Sequence, residues 1–257
     1  MLYAKGSYAN NTNVRLDSDV DIGIDCHECF YWDYASYVAQ PNPALPRSHY
    51  KGPWTPTAWR AAVLAALRVK FGESDVDASG KIAIKIKEIP GSRPSIDVVP
   101  GFHYKQYTEP YKLAWHDGSC VFPTPSGSKI VNWPNQQLSN GRKKNDRTGK
   151  RYKDFVRILK NAENYLSDNK AIPDLASFLM ECLVWNVEDD TLKLADRDDA
   201  FHATLLELWE RLNDNDTYKK WVEPNCLKYM FRGDAKWTHE EAQSLVQETW
   251  KLLDYST

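Results

Sequence analysis

At 257 residues with 42% apolar content, the chain can form one large domain or two small lobes around a real core. A net charge of −2 means that the whole is no polycation seeking nucleic acid. No run of eighteen apolar residues occurs and no basic stretch followed by an apolar one opens the chain, so neither a membrane span nor a secretory signal is expected. Five scattered cysteines, an odd number, make no disulfide framework and fit a reducing cytoplasm.

In chain order, Gly6-Ser7 follows a short apolar start, as a turn does where backbone approaches a phosphate and a hydroxyl binds it. Asp19 and Asp21 then alternate with Val20 and Ile22. In a strand, residues i and i+2 leave the same face, so the two carboxylates would point one way while the apolar residues enter a core. That is the pattern of a metal clamp. Two other readings stand beside it. Counted from Asp17, Glu28 takes the twelfth place of a calcium loop, but Ile22 stands at the sixth place, where that loop has Gly. A plain surface turn is the other, and the alternation of Val20, Ile22 and Ile24 speaks against it. Cys26-His27-Glu28-Cys29 is at most half a zinc site, since no second pair with ligand spacing completes four ligands.

Gln40 to Pro56 holds five prolines and reads as a loop. Thr55 as cap and Pro56 in the first turn open a helix in which Trp59, Ala62, Val63, Ala66 and Leu67 recur at helical spacing up to Gly72. Ile82, Ile84 and Ile86 alternate as a half-buried strand, and Pro90-Gly91 turns it back into Ser95–Val99, an antiparallel hairpin. Asp97 lies on the face opposite Ile96 and Val98. Buried without a partner it would cost several kcal/mol, which a nearby cation would offset; as an exposed edge charge it would cost little. Between Gly101 and Asn140 short strand-like pieces occur in no order that pattern alone reveals. Gly127 to Pro134 ends the first lobe, and Ser139-Asn140-Gly141 reads as a mobile connector. Helices follow at about Arg151–Leu166, Asp174–Asn186 and Asp198–Leu212, and from a capping box at Thr238. Arg142 to Lys160 carries nine Lys or Arg against Asp146 and Asp154, a local +7 that leaves −9 elsewhere.

Gly-Ser, eleven residues, then Asp-apolar-Asp-apolar resembles the signature of polymerase-beta-type nucleotidyltransferases. Within them, Lys5 to Thr12 and Ser18 to Ile22 resemble the bacterial cyclic-oligonucleotide synthases (CD-NTases), relatives of cyclic GMP-AMP synthase and oligoadenylate synthase. The likeness extends over nearly the whole chain. Ile-Asp-Val-Val-Pro at 96–100 matches the strand that carries the family's third Asp. Arg157 to Lys160 matches the helix whose lysine reaches nucleotide phosphates, and Ser177-Phe178 matches a Ser-aromatic pair that meets phosphate and base. Taken alone, Phe178 reads as core and Lys160 as a solvated helix end.

The resemblance implies an α+β fold of two lobes: a catalytic lobe (1–140) with a mixed twisted sheet, and a helical nucleotide-binding lobe (141–257). It implies a cytoplasmic metal-dependent nucleotidyltransferase making a cyclic di- or trinucleotide second messenger from nucleoside triphosphates in an anti-phage (CBASS) setting. Asp19, Asp21 and Asp97 would be catalytic and would hold two Mg²⁺, with Mn²⁺ as the other ion such a site accepts. Gly6, Ser7, Lys160, Ser177 and Phe178 would bind nucleotide. Expected partners are nucleoside triphosphates, with room for regulatory or effector proteins, and no membrane or long nucleic acid. The alternatives are a template-independent enzyme adding nucleotides to RNA or protein, and a nucleotide-binding pseudoenzyme. Members of the family begin with a long helix before the Gly-Ser strand, whereas only Met1 to Ala4 precede Lys5, so a natural N-terminal segment is expected to be missing.

Overall fold

The structure, a computed structural model, describes residues 1–14, 19–39, 48–124, 128–233 and 235–255. Asp17, where the calcium-loop count begins, the proline-rich stretch 40–47 and Gly127 lie outside them. The chain separates into two compact units: Met1–Tyr8 with Arg15–Asn135, and Ala9–Val14 with Gln136–Thr257. The six residues after Tyr8 therefore pack with the helices, a detail that the expected division at residue 140 does not contain.

The first unit runs β1 (Leu2–Lys5), α1 (Gly6–Asn10, shared with the second unit), β2 (Val20–Tyr34), β3 (Ser48–Lys51), α2 (Pro56–Phe71), β4 (Val76–Asp77), β5 (Ile84–Ile86), β6 (Ile96–Tyr107), β7 (Trp115–Val121) and β8 (Ile130–Asn132). The strands make one mixed sheet in the order β1-β2-β6-β5-β4, with β3 on β2, β7 on β6 and β8 on β7. β2 and β6 pair in parallel along their lengths, with a register shift between Cys26 and Phe30. Parallel neighbours cannot be joined by a tight hairpin. The chain between them crosses over through α2, which starts as expected: Thr55 accepts from the Ala58 amide at 3.1 Å, and Pro stands in the first turn.

Val63 of α2, flanked by Trp59, Leu64, Leu67 and Phe71, packs on Ile84, Ile86 and Val98. Each of these fully buried sheet residues contributes about 1.5–3 kcal/mol over exposure. Ile24 and Ile96 join the same layer. The apolar positions thus lie against α2, and the intervening positions of β2, β5 and β6 turn to the opposite face. The hairpin expected at 82–99 is present, with Ile84 opposite Val98 and Ile86 opposite Ile96. The stretch that pattern left unordered is the second half of β6, followed by β7 and β8, paired antiparallel in sequence.

The second unit contains α3 (Pro134–Arg147), α4 (Arg151–Asp168), α5 (Phe178–Trp185), α6 (Asp189–Leu192), α7 (Arg197–Asn213), α8 (Asn215–Tyr218) and α9 (His239–Leu252). Two expectations need correction. The connector at 139–141 is the middle of α3. Lys144 on that helix is buried, and its ammonium is bound by Val187 O at 2.7 Å and Asp189 at 2.9 Å, which ties the helix down. The helix expected from Asp174 begins only at Phe178, because the Leu175 amide is taken by Glu163 Oε1 at 2.9 Å and Leu175 is buried before the helix starts. The other three follow the pattern: α4 buries Val156, Leu159, Ala162 and Leu166, α7 (Arg197–Asn213) covers the helix expected at 198–212, and α9 opens on the Thr238–Glu241 capping box. Among the described residues no helix is long and apolar enough to cross a membrane.

Candidate functional site

β2, β6 and β5 bring the predicted acids to one part of the sheet. Asp21 pairs directly with Asp97 across the parallel strands. On the outer sides, Lys5 of β1 pairs with Asp21, and Lys85 of β5 pairs with Asp97. Directly paired residues share a face, so a row Lys5–Asp21–Asp97–Lys85 crosses four neighbouring strands on the side away from α2. Asp19 stands one residue before β2. Its Oδ1 accepts from the Ser95 hydroxyl, and its Oδ2 accepts from Lys85 Nζ at 3.0 Å.

Gly6 is essential to the close approach of this row to the start of α1. Its φ is +68°, in the left-handed region, and a Cβ there would collide with the Asp21 carboxylate. Ser7 follows it, half-buried, at the head of the segment that leads away from the sheet. The charges interact strongly. Burial, and then the neighbouring Asp19, push the Asp97 carboxyl above the ordinary carboxylate range, against the pull of Lys85. The hydrogen bond to Asp19 in turn raises Lys85.

Carboxylates without His or Cys make a hard, oxygen-only donor set, of the kind that magnesium and manganese take. Among the described residues no three His, Cys, Asp or Glu side chains are arranged to hold one ion unaided. The residues nonetheless fit a metal that brings other oxygens with it. Asp19 and Asp21 lie near enough to Asp97 to add to the effect of burial in raising it, so a divalent cation here would offset both. Cys26 and Cys29, singled out above as half a zinc site, are buried, and all five cysteines are unpaired thiols.

The other predicted residues lie in the helical unit. Lys160 departs from expectation: it is 3% exposed, and its ammonium donates to Thr12 Oγ1 at 3.2 Å and to Glu181 Oε1 at 3.3 Å. Asn10 and Thr12 also donate to Glu181, at 3.0 and 2.5 Å. An ammonium committed to a buried carboxylate is not an open phosphate contact, and this network instead anchors the segment that follows Ser7. Ser177 is exposed at the head of α5. Phe178 is half-buried, its ring edge-on to Trp237 at 6.0 Å. Much of the basic run is likewise engaged: Lys144 and Arg147 with Asp189, Lys150 with Asp146, Arg157 with Asp154 and Asn11 O. Lys153 differs. Burial and then Arg142 lower its pKa, against the pull of Glu181.

Lys5, Lys85 and Ser95 escaped the sequence reading. The lysines alternate with apolar residues as any half-exposed strand does, and only the register across four strands sets them beside the acids.

Residues 139–254 match the family model of the cGAS/DncV-like nucleotidyltransferase C-terminal helical domain. Over 260 residues the chain is 32% identical to the cyclic dipyrimidine nucleotide synthase CdnE of Cecembia lonarensis, covering 98% of this chain and 84% of that protein. The structure resembles that of Elizabethkingia meningoseptica CdnE cyclic dinucleotide synthase with GTP and Apcpp, with a TM-score of 0.81, 28% identity, and coverage of 99% and 85% of the two chains. It also resembles Rhodothermus marinus CdnE c-UMP-AMP synthase with Apcpp and Upnpp, with a TM-score of 0.80, 25% identity, and coverage of 100% and 85%. A mixed sheet with paired acids on one face, followed by a helical unit, is the polymerase-beta-like nucleotidyltransferase architecture. The chain belongs to the bacterial CD-NTases, the cGAS/DncV-like family of cyclic nucleotide synthases, and is a nucleotidyltransferase.

Proposed function

We propose that this chain joins nucleoside triphosphates into a cyclic di- or trinucleotide that serves as a second messenger in the cytoplasm during an anti-phage response. Family membership supports the reaction class. The observation that carries the chemistry is the direct pairing of Asp21 with Asp97, with Asp19 beside them.

In this proposal Asp19, Asp21 and Asp97 hold two Mg²⁺. The ions supply charge neutralisation for the triphosphate and lower the pKa of the attacking hydroxyl. The chain's own residues do the rest. Gly6 lets the backbone lie against the Asp21 carboxylate, and the Ser7 hydroxyl donates to the departing phosphates. Asp97, directly across from Asp21, would help hold the ion that lowers the pKa of the acceptor hydroxyl. In the helical unit, Ser177 and Phe178 contribute a donor and an aromatic face to the nucleotide.

The test is to incubate the protein with the four labelled nucleoside triphosphates and Mg²⁺ or Mn²⁺, then separate phosphatase-resistant products. A cyclic product absent from an Asp21→Asn control supports the reading. Linear extension of added RNA, or nucleotide joined to protein, would replace it with a nucleotide-adding enzyme. Tight nucleotide binding without any transfer would make the chain a pseudoenzyme.

A further inference from the structure

Both oxygens of Asp19 are engaged by protein groups: Oδ1 by the Ser95 hydroxyl and Oδ2 by the Lys85 ammonium at 3.0 Å. Lys85 is held in place from below, since Ile84 and Ile86 on either side are buried in the core. Its register sets it directly opposite Asp97, so it serves two of the three acids at once. A general excess of lysine on this strand does not explain the pairing. Lys87, two residues on, turns away to Ser74 O at 2.7 Å.

We infer that Lys85 is the internal counter-ion of the acidic cluster, a positioning residue that holds Asp19 until a divalent ion arrives with its nucleotide. The inference rests on reading the three acids as the metal clamp. With Lys5 and Lys85 counted beside Asp19, Asp21 and Asp97, the cluster carries a formal −1. Such a cluster attracts bare divalent ions weakly, because an ammonium must first be separated from Asp19. A metal–triphosphate complex brings its own negative charge, which gives the displaced ammonium a new partner. Lys85 therefore favours metal bound to nucleotide over metal alone.

The probe is Mn²⁺, titrated without nucleotide and again with a non-hydrolysable triphosphate, by electron paramagnetic resonance or calorimetry. Lys85→Met should bind bare Mn²⁺ about fivefold more tightly than wild type, the upper range for a half-exposed ion pair. Its preference for Mn²⁺ with triphosphate over Mn²⁺ alone should shrink. Lys85→Arg should behave as wild type. Lys87→Met makes the same charge change without the contact and should shift bare Mn²⁺ affinity by less than about twofold, its charge being screened. Without metal, Lys85→Met should melt below wild type and recover on adding Mn²⁺. Lys85→Gln serves the same comparison if the methionine variant does not fold. Equal Mn²⁺ affinity in wild type and Lys85→Met, or equal tightening in Lys85→Met and Lys87→Met, would overturn the inference alone. A wild-type protein that binds no Mn²⁺ even with triphosphate would overturn the metal-clamp reading and the inference together.

Discussion

Asp21 and Asp97 stand directly across from each other on parallel strands, 76 positions apart in sequence, with a lysine from the next strand beyond each. Two carboxylates held this way repel each other, and the proposed role of each predicts a different failure. Asp21→Asn or Asp19→Asn removes charge where both ions would bind, so metal–nucleotide binding and turnover should fall together. Asp97→Asn should cut turnover by orders of magnitude while changing nucleotide affinity only modestly. Calorimetry with a non-hydrolysable triphosphate, beside the product assay, separates the two. Near-normal activity in Asp97→Asn would return that residue to an edge charge.

Gly6 should tolerate no side chain. Gly6→Ala meets the Asp21 carboxylate and needs a left-handed backbone, which costs an L residue about 1–2 kcal/mol. For a chain of this size that lowers Tm by only a few degrees, about 2–4 °C per kcal/mol. Activity should nonetheless fall by orders of magnitude because the carboxylate is displaced. Loss of activity in strict proportion to loss of folded protein would show that the contact is structural only.

The buried pair Lys160–Glu181 should act through stability. Removing one partner leaves an unpaired buried charge, and Lys160→Met or Glu181→Gln should each cost about 3–5 kcal/mol in urea unfolding, with the double variant less harmed than their sum. If Lys160→Met instead weakens triphosphate binding without destabilising the protein, the lysine meets phosphate after all.

Asp25, four residues on from Asp21 in β2, supplies a pH dependence of stability. It is 5% exposed, and burial raises its pKa despite hydrogen bonds from Ser119 at 2.9 Å and Tyr3 at 3.3 Å. A carboxyl with a raised folded pKa favours the fold in its protonated form. That stability is fully present below the ordinary carboxylate pKa and is lost as pH rises through the raised value. Asp25→Asn should therefore melt higher than wild type at pH 8, with the gap closing towards pH 4. A gap that widens on acidification would contradict the assignment.

The basic run should not bind long nucleic acid. Lys144, Arg147, Lys150 and Arg157 are all paired with carboxylates, and the run's local +7 is offset by −9 over the rest of the chain, which weakens the pull on a phosphate backbone. Mobility-shift assays at physiological salt should show no tight duplex binding. Tight binding with a steep salt slope would refute this.

Local pattern carried much of the architecture. Alternation at Val20–Ile24 and Ile82–Ile86, the Thr55-Pro56 start and the Thr238–Glu241 box are short-range signals, and each corresponds to an element in the structure. Where local pattern misled, a distant partner had intervened. Asn140 and Gly141 argue against a helix, yet α3 passes through them because Lys144 is bound by groups more than forty residues away. Lys160 looks like a solvated end until Glu181 and Thr12 close over it.

Gly6-Ser7 with Asp19 and Asp21 carried the resemblance to the family to which the chain belongs, and a strand's two-residue period is a separate, local reason to expect both carboxylates on one side. Which residues would stand beside those acids was decided only by strand register. Lys5, Lys85 and Ser95 are ordinary residues in their own segments, and they become the electrostatic surroundings of Asp19, Asp21 and Asp97 because β1 pairs with β2, β5 pairs with β6, and Ser95 immediately precedes β6. Coulomb energy depends on distance through space, and no window of sequence contains that distance.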